Sequence, residues 1–144
     1  MANPFIHVEL NTTNLGRAKD FYAHLFGWQL NDMKIPGAPL PDESYTIIDP
    51  GKTTLSPAGS RSDAKAPSDG VGVGGGMLKH PEPGEPSTWL AYVLVDDVPA
   101  SVKKARDLGA EVVQDCTEIP GMGWLGLIKD PTGAKLGLWK PMPM

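Results

Sequence analysis

The sequence repeats one pattern twice, with an offset of 83 residues. The strand-like segment IHVEL at 6–10 aligns with the segment WLAYV at 89–93, and a helix-like segment follows each of them. Two half-size modules would each be too small to fold comfortably alone, so we expect them to share one core. The repeat therefore predicts a pseudo-symmetric body with a cavity between two related halves.

Length and charge limit the class of protein. A chain of 144 residues fits a single domain, 1–144. Its net charge of -4, with no long block of basic residues, argues against a nucleic-acid or anionic-membrane partner. The single Cys116 excludes an intrachain disulfide and a multi-cysteine metal site. Because no apolar run approaches the ~20 residues of a membrane span and the N-terminus lacks a basic stretch, we predict a cytoplasmic protein.

The first module, 1–80, is predicted to contain a strand, a helix and three more strands. Alternation over residues 5–11 places His7, Glu9 and Asn11 on one face of the first strand. Thr13 or Asn14 can cap the helix that follows, and Gly27 can end it. The apolar face of this helix is predicted to consist of Ala18, Phe21, Tyr22 and Leu25.

The second module, 88–144, repeats this order of elements. Asp96 or Asp97 caps its helix, and the segment 130–133 forms the turn of a final hairpin. Residues 52–70 are rich in Ser, Ala, Pro, Gly and Asp, and they predict a flexible insertion between the two strands that flank them.

Several short motifs occur in a characteristic order. His7-Val8 lies in the first strand, Phe26-Gly27-Trp28 ends the first helix, and Asp130-Pro131-x-Gly133 turns the last hairpin. With the βαβββ repeat, these motifs resemble the vicinal oxygen chelate superfamily of glyoxalases, bleomycin-resistance proteins and extradiol dioxygenases. Phe26-Gly27-Trp28, the glycine run near Gly76, the strand that begins at Trp89 and Ile119-Pro120-Gly121 are together most similar to its small glyoxalase-like branch.

This resemblance implies an α+β fold in which two βαβββ modules form a curled mixed/antiparallel sheet around a cavity. It also implies a homodimer. In metal-using members, the first and last strands of each module supply four side chains that ring a divalent ion, which stabilises charge on the substrate.

The four corresponding positions in this chain lack most of the expected donors. They are His7, Leu90, Gly76 and Gly137, where the last-strand positions of active relatives carry Glu. A divalent site needs at least three protein ligands. We therefore predict no bound metal and no other cofactor, and we expect the two glycines to enlarge the cavity.

Three interpretations of His7 remain open. It can be a cavity-facing histidine hydrogen-bonded to Glu9 or Asn11, a metal ligand, or a metal-free general base that Glu9 orients. We therefore name His7 and Glu9 as candidate catalytic residues. The candidate ligand-binding residues, which suit a small, partly aromatic molecule, are Asn11, Leu90, Tyr92, Trp124 and Trp139.

Three functions follow from these alternatives. The first is a metal-free protein that binds a small hydrophobic or aromatic molecule between the modules. The second is a lyase, isomerase or dioxygenase that uses His7 as metal ligand or base. The third is an accessory domain whose cavity is vestigial. The resemblance alone does not identify a substrate, because one fold supports several chemistries.

Overall fold

The protein is described by a computed structural model that covers residues 3–52 and 73–143. The first half contains β1 (Phe5–Thr12), α1 (Leu15–Phe26), β2 (Gln29–Lys34), β3 (Ser44–Asp49) and β4 (Gly75–Lys79), with a short 3-10 turn at Pro41–Glu43. The second half contains β5 (Thr88–Leu94), α2 (Val98–Asp107), β6 (Glu111–Ile119), β7 (Gly123–Lys129) and β8 (Lys135–Pro141). The predicted insertion at 52–70 lies outside the described residues, apart from its first residue.

The strands form one eight-stranded sheet in the order β2-β3-β4-β1-β5-β8-β7-β6. At its centre β1 and β5 pair antiparallel, while β4 runs parallel to β1 and β8 runs parallel to β5. The order of strands is therefore the same from the centre outwards on both sides. This confirms the predicted α+β fold with two βαβββ modules in a curled mixed sheet.

The register of the sheet confirms which residues are equivalent in the two halves. His7 pairs with Tyr92, and Glu9 pairs with Leu90. A two-fold axis between β1 and β5 therefore exchanges His7 with Leu90 and Glu9 with Tyr92, as the offset of 83 residues in the sequence requires. Gly76 lies beside Glu9 and Gly137 lies beside Tyr92, so these two glycines are also equivalent.

Both helices begin at side-chain caps. The side chain of Asn14 accepts a hydrogen bond from the backbone N–H of Arg17, and Asp97 accepts one from that of Ala100. Each bond satisfies a backbone donor that the first turn of a helix leaves without a partner. Gly27 ends α1 with a φ of 71°, a left-handed conformation that glycine adopts without strain.

The helices cover one face of the sheet. Ala18 and Tyr22 of α1 pack against a core cluster that includes Met77. Phe21 and Leu25 do not join it, since they are 57% and 56% exposed, so only part of the predicted apolar face of α1 packs against the sheet. Among the described residues, neither helix has the length and the apolar character that a membrane-spanning segment needs.

The core cluster on the other face joins the two halves. It combines Ile35, Tyr45 and Leu78 of the first half with Ile119 of the second, and Leu125 and Trp139 pack against it. Because neither half supplies all of these side chains, the two modules share a core, as the size of the repeat predicts.

Candidate functional site

A cavity of about 350 Å³ opens on the face of the sheet opposite the helices. This volume is within the range of small-molecule sites in proteins, which begins at roughly 300 Å³. Both halves contribute apolar side chains to its wall, including Ile35, Ile47, Leu125 and Trp139. The polar side chains among its described lining residues are His7, Glu9, Tyr45 and Tyr92.

The carboxyl group of Glu9 is the centre of a hydrogen-bond network. The hydroxyl of Tyr45 donates to Oε1 at 2.9 Å, and the hydroxyl of Tyr92 donates to Oε2 at 3.0 Å. The amide of Asn11 donates to the same Oε2 at 3.1 Å. Three donors, one each from β1, β3 and β5, therefore bind one partly buried carboxyl group. These hydrogen bonds offset the free energy that burying the group without partners would cost.

His7 joins this network through Tyr45. Its Nε2 lies 2.7 Å from the hydroxyl oxygen of Tyr45. Its ring stacks on that of Tyr45 with 6.1 Å between the centroids, and it meets Tyr92 edge to face at 5.8 Å. The two tyrosines thereby fix the imidazole at the cavity wall.

Burial shifts the pKa values of all four groups. It raises the pKa of Glu9, although the hydrogen bonds from Tyr45, Asn11 and Tyr92 oppose the shift. It lowers the pKa of His7 below 6.5, which favours the neutral imidazole. Burial first, and then the charge of Glu9, raises the pKa values of Tyr45 and Tyr92, so both phenols remain protonated donors.

Tyrosine rings fill the space beside the two glycines. A β-carbon added at Gly76 would overlap the ring of Tyr45, and one added at Gly137 would overlap the ring of Tyr92. The expectation that these glycines enlarge the cavity is therefore wrong. Both glycines instead let an aromatic ring lie directly on the backbone of the last strand, where a larger side chain would exclude it.

Metal ligands do not converge at the positions that the resemblance indicates. Within residues 3–52 and 73–143, no three side chains of the His, Cys, Asp and Glu types come together as a metal site would require. His7 already uses Nε2 in its bond to Tyr45. Glu9 already accepts from three donors.

The structure brings four of the seven predicted site residues to the cavity wall: His7, Glu9, Tyr92 and Trp139. Asn11 does not line the cavity, but it binds Glu9 directly. Leu90 is buried beside Glu9 in the sheet and is not part of the wall. Trp124 packs with the residues beneath α2, because side chains alternate along β7 and its neighbour Leu125 takes the cavity side.

Among the described polar residues of the cavity wall, Tyr45 is the one that the sequence analysis missed. It lies on β3, two residues before Ile47, which pairs with Gly76. A large ring close to a glycine on the neighbouring strand was the available signal. Using it requires knowing that β3 pairs with β4, which the pattern of either strand alone does not show.

Comparison with solved structures supports the fold. A hypothetical protein of Bacillus halodurans C-125 superposes with a TM-score of 0.64 at 9% identity, over 100% of this chain and 98% of that one. A methylmalonyl-CoA epimerase of Streptomyces coelicolor superposes with a TM-score of 0.61 at 16% identity, over 99% and 100%. At such low identities the likeness shows a common fold and nothing about activity.

Curated relatives share more sequence. The "Putative glyoxylase CFP32" of Mycobacterium tuberculosis is 33% identical over 133 residues, which are 92% of this chain and 44% of the relative. The anthracycline biosynthesis protein DnrV of Streptomyces peucetius is 29% identical over 92% of this chain and 45% of the relative. This chain therefore spans less than half the length of the curated relatives that it matches.

The family model described as Glyoxalase/Bleomycin resistance protein/Dioxygenase superfamily matches residues 5–138, nearly the whole length of the two modules. The fold, the equivalent positions in its two halves and the cavity between them agree with that match. The chain is a member of the glyoxalase/bleomycin resistance protein/dioxygenase superfamily.

Proposed function

We propose that this protein binds a small hydrophobic or aromatic molecule in the cavity between its modules, and that its family's metal site has degenerated. The observation that carries the proposal is the cluster of Tyr45, Glu9, Tyr92 and His7. The cluster contains His7, and its tyrosine rings lie against Gly76 and Gly137; these three residues are three of the four positions where the resemblance implies metal ligands. It is connected by hydrogen bonds within the protein.

The chemistry of the donors supports a metal-free site. Of the four positions that would ring an ion, Leu90, Gly76 and Gly137 have no donor atom in their side chains. Carboxylates at the two glycine positions would have to displace the rings of Tyr45 and Tyr92. His7 by itself falls short of the three protein ligands of a catalytic zinc. The residues present do not fit the ion.

The character of the wall supports an apolar ligand. Most of the described lining side chains are aliphatic or aromatic, and burying a ligand against them stabilises a complex by about 25 cal/mol per Å². The open cavity also argues against the accessory-domain alternative, in which side chains would fill the space between the modules. The relative named for anthracycline biosynthesis is consistent with an aromatic ligand, since anthracyclines are polycyclic aromatic compounds.

A neutral dye tests the binding function. Nile red added to the protein should gain fluorescence, because it leaves water for the apolar cavity. Met122→Trp adds bulk to the cavity wall and should weaken the binding about tenfold or more. Met142→Trp is the matched control, because Met142 bonds to the backbone of Met122 but does not line the cavity. Equal binding by the wild type and both variants would place the dye elsewhere and reject the proposal.

A thermal-shift series tests the loss of the metal site. A ligand that binds only the folded state must raise its stability. We expect Zn²⁺, Ni²⁺ and Mn²⁺ to leave the melting temperature unchanged in the presence or absence of EDTA. A metal-dependent rise that EDTA reverses, and that His7→Phe abolishes, would show that the site still binds an ion.

A second function is favoured by the contact between His7 and Tyr45. The link from His7 through Tyr45 to Glu9 could support a metal-free general base, which is the proton-transfer alternative for this site. Hydrogen–deuterium exchange at the α-carbon of 2-indanone, followed by NMR in D2O, tests it. If the protein accelerates the exchange above the rate in buffer, and His7→Gln abolishes this acceleration, the result supports the function. If the protein does not accelerate the exchange, the function is rejected.

A further inference from the structure

One ring nitrogen of His7 has no assigned role. The imidazole lies in the cavity wall, and Nε2 is committed to Tyr45. Nδ1 makes no hydrogen bond to any residue that the structure describes. Among the described residues, every buried side-chain nitrogen or oxygen has a hydrogen-bond partner. Since Nδ1 has none, it is not buried, and the partly buried His7 leaves this atom accessible to solvent or to a ligand.

The hydrogen bonds of the network determine which way each proton points. The hydroxyl of Tyr45 has one proton, and it donates this proton to Oε1 of Glu9. The oxygen of Tyr45 can therefore only accept from His7, so Nε2 carries the imidazole proton. In a neutral imidazole the other nitrogen is then an acceptor. Nδ1 of His7 thus presents a lone pair.

The charges around the cavity favour a neutral ligand. None of the described lining residues is a lysine or an arginine, so an anion would lose its hydration without gaining a cationic partner. The carboxyl group of Glu9 lies in the same wall and would repel a second negative charge.

We propose that the cavity selects a neutral, mainly apolar molecule with one hydroxyl or N–H group, which donates a hydrogen bond to Nδ1 of His7. This inference rests on the proposed function, because it requires that the cavity binds a ligand. Tyr45 and Glu9 act as positioning residues, since they fix the tautomer and the orientation of the imidazole without contacting the ligand's donor.

Three naphthalene probes of similar size test this selection. 1-Naphthol is a neutral donor, 1-methoxynaphthalene is neutral without a donor, and 1-naphthoate is an anion. We measure their dissociation constants at pH 7.5 by isothermal titration calorimetry. 1-Naphthol should bind about fivefold more tightly than 1-methoxynaphthalene, which corresponds to one net hydrogen bond. 1-Naphthoate should bind more weakly than both.

Substitution of the acceptor assigns the preference to His7. In His7→Phe, 1-naphthol should bind no more tightly than 1-methoxynaphthalene, so the preference for the donor is lost. His24→Phe is the control, because His24 is an exposed histidine on α1 and should leave the preference intact. The comparison of the three probes in the wild type requires no variant. It therefore tests the selection even if His7→Phe does not fold.

The outcomes separate the two proposals. If 1-methoxynaphthalene and 1-naphthol bind equally, or if 1-naphthoate binds most tightly, the selection by Nδ1 is wrong while a binding cavity stands. If none of the three probes binds and Nile red also fails, the proposed function itself is wrong, and the selection is rejected with it.

Discussion

Glu9 is the residue on which the polar part of the cavity depends. Its carboxyl group connects β1 to β3 through Tyr45 and to β5 through Tyr92. An acid in this position would be costly without donors, whereas each donor contributes about 1.5–3 kcal/mol when its partner is charged. The cluster therefore stabilises the fold and shapes the cavity at the same time.

Removing one hydroxyl tests the strength of this cluster. Tyr45→Phe takes a donor from Glu9 and an acceptor from His7 while keeping the ring that covers Gly76. We expect the free energy of unfolding, measured with urea, to fall by about 1–3 kcal/mol. Tyr22→Phe, which removes a hydroxyl bonded to the indole of Trp89 near the surface, should cost about 0.5 kcal/mol or less. Equal losses in the two variants would contradict this account.

The lowered pKa of His7 predicts a pH effect on stability. Below pH 6.5 the unfolded chain takes up a proton at this histidine that the folded protein does not. The contribution of His7 is therefore fully present above pH 6.5 and decreases as the pH falls. Urea midpoints measured from pH 7.5 to 5.5 should fall more steeply for the wild type than for His7→Gln.

The design of this comparison isolates one group. Glu9, Tyr45 and Tyr92, which lie around His7 in the wild type, are present in both proteins, so their own titrations largely cancel in the difference between the two curves. Parallel curves would show that His7 has an ordinary pKa in the folded protein.

At the scale of elements, the last strand of each module needs a glycine beneath a tyrosine. Gly76 on β4 and Gly137 on β8 occupy equivalent positions in the sheet, and each lies against a ring. The two rings lie differently relative to their glycines. Tyr92 on β5 is the direct register partner of Gly137, whereas Tyr45 lies on β3 two residues before Ile47, which is the partner of Gly76.

A single methyl group tests this packing. Gly137→Ala should lower the free energy of unfolding by about 1–3 kcal/mol, because the added carbon overlaps the ring of Tyr92. Gly16→Ala on α1 is the matched control: its β-carbon would meet nothing nearer than 3.9 Å, and alanine favours a helix. We expect that control to be neutral or stabilising in urea denaturation. A neutral Gly137→Ala would mean that the ring moves freely.

What could be predicted from the sequence at this scale depended on local signals. Alternation identified β1, and the candidate caps Thr13 or Asn14 and Asp96 or Asp97 placed each helix start to within one residue, because these signals involve residues close in sequence. The structure selects Asn14 and Asp97. The exposure of Phe21 could not be predicted in this way. Helical periodicity shows that apolar residues share a face, but it does not show how many of them another element covers.

At the scale of the whole molecule, the internal repeat was the most useful signal. The offset of 83 residues makes His7 equivalent to Leu90 and Glu9 equivalent to Tyr92, and the register of β1 with β5 agrees with this equivalence. The position of Trp124 could not be obtained from the repeat. It depends on the alternation of β7 relative to its neighbours, and a shift of one residue moves a side chain to the opposite face of the sheet.

The shared core predicts that neither module is stable alone. Separating the chain between residues 83 and 84 divides β1 from β5 and Tyr45 from Ile119. Fragments of this size can bury only about 60% of their unfolded surface, and each also exposes a central strand edge. We expect far-UV circular dichroism to show that fragments 1–83 and 84–144 are each unfolded when alone. When the two are mixed in equal amounts, the spectrum of the intact chain should return, because pairing of β1 with β5 restores both the sheet and the core. A cooperative unfolding transition in either fragment alone would show that the halves are independent domains, and the cavity would then be an interface between them.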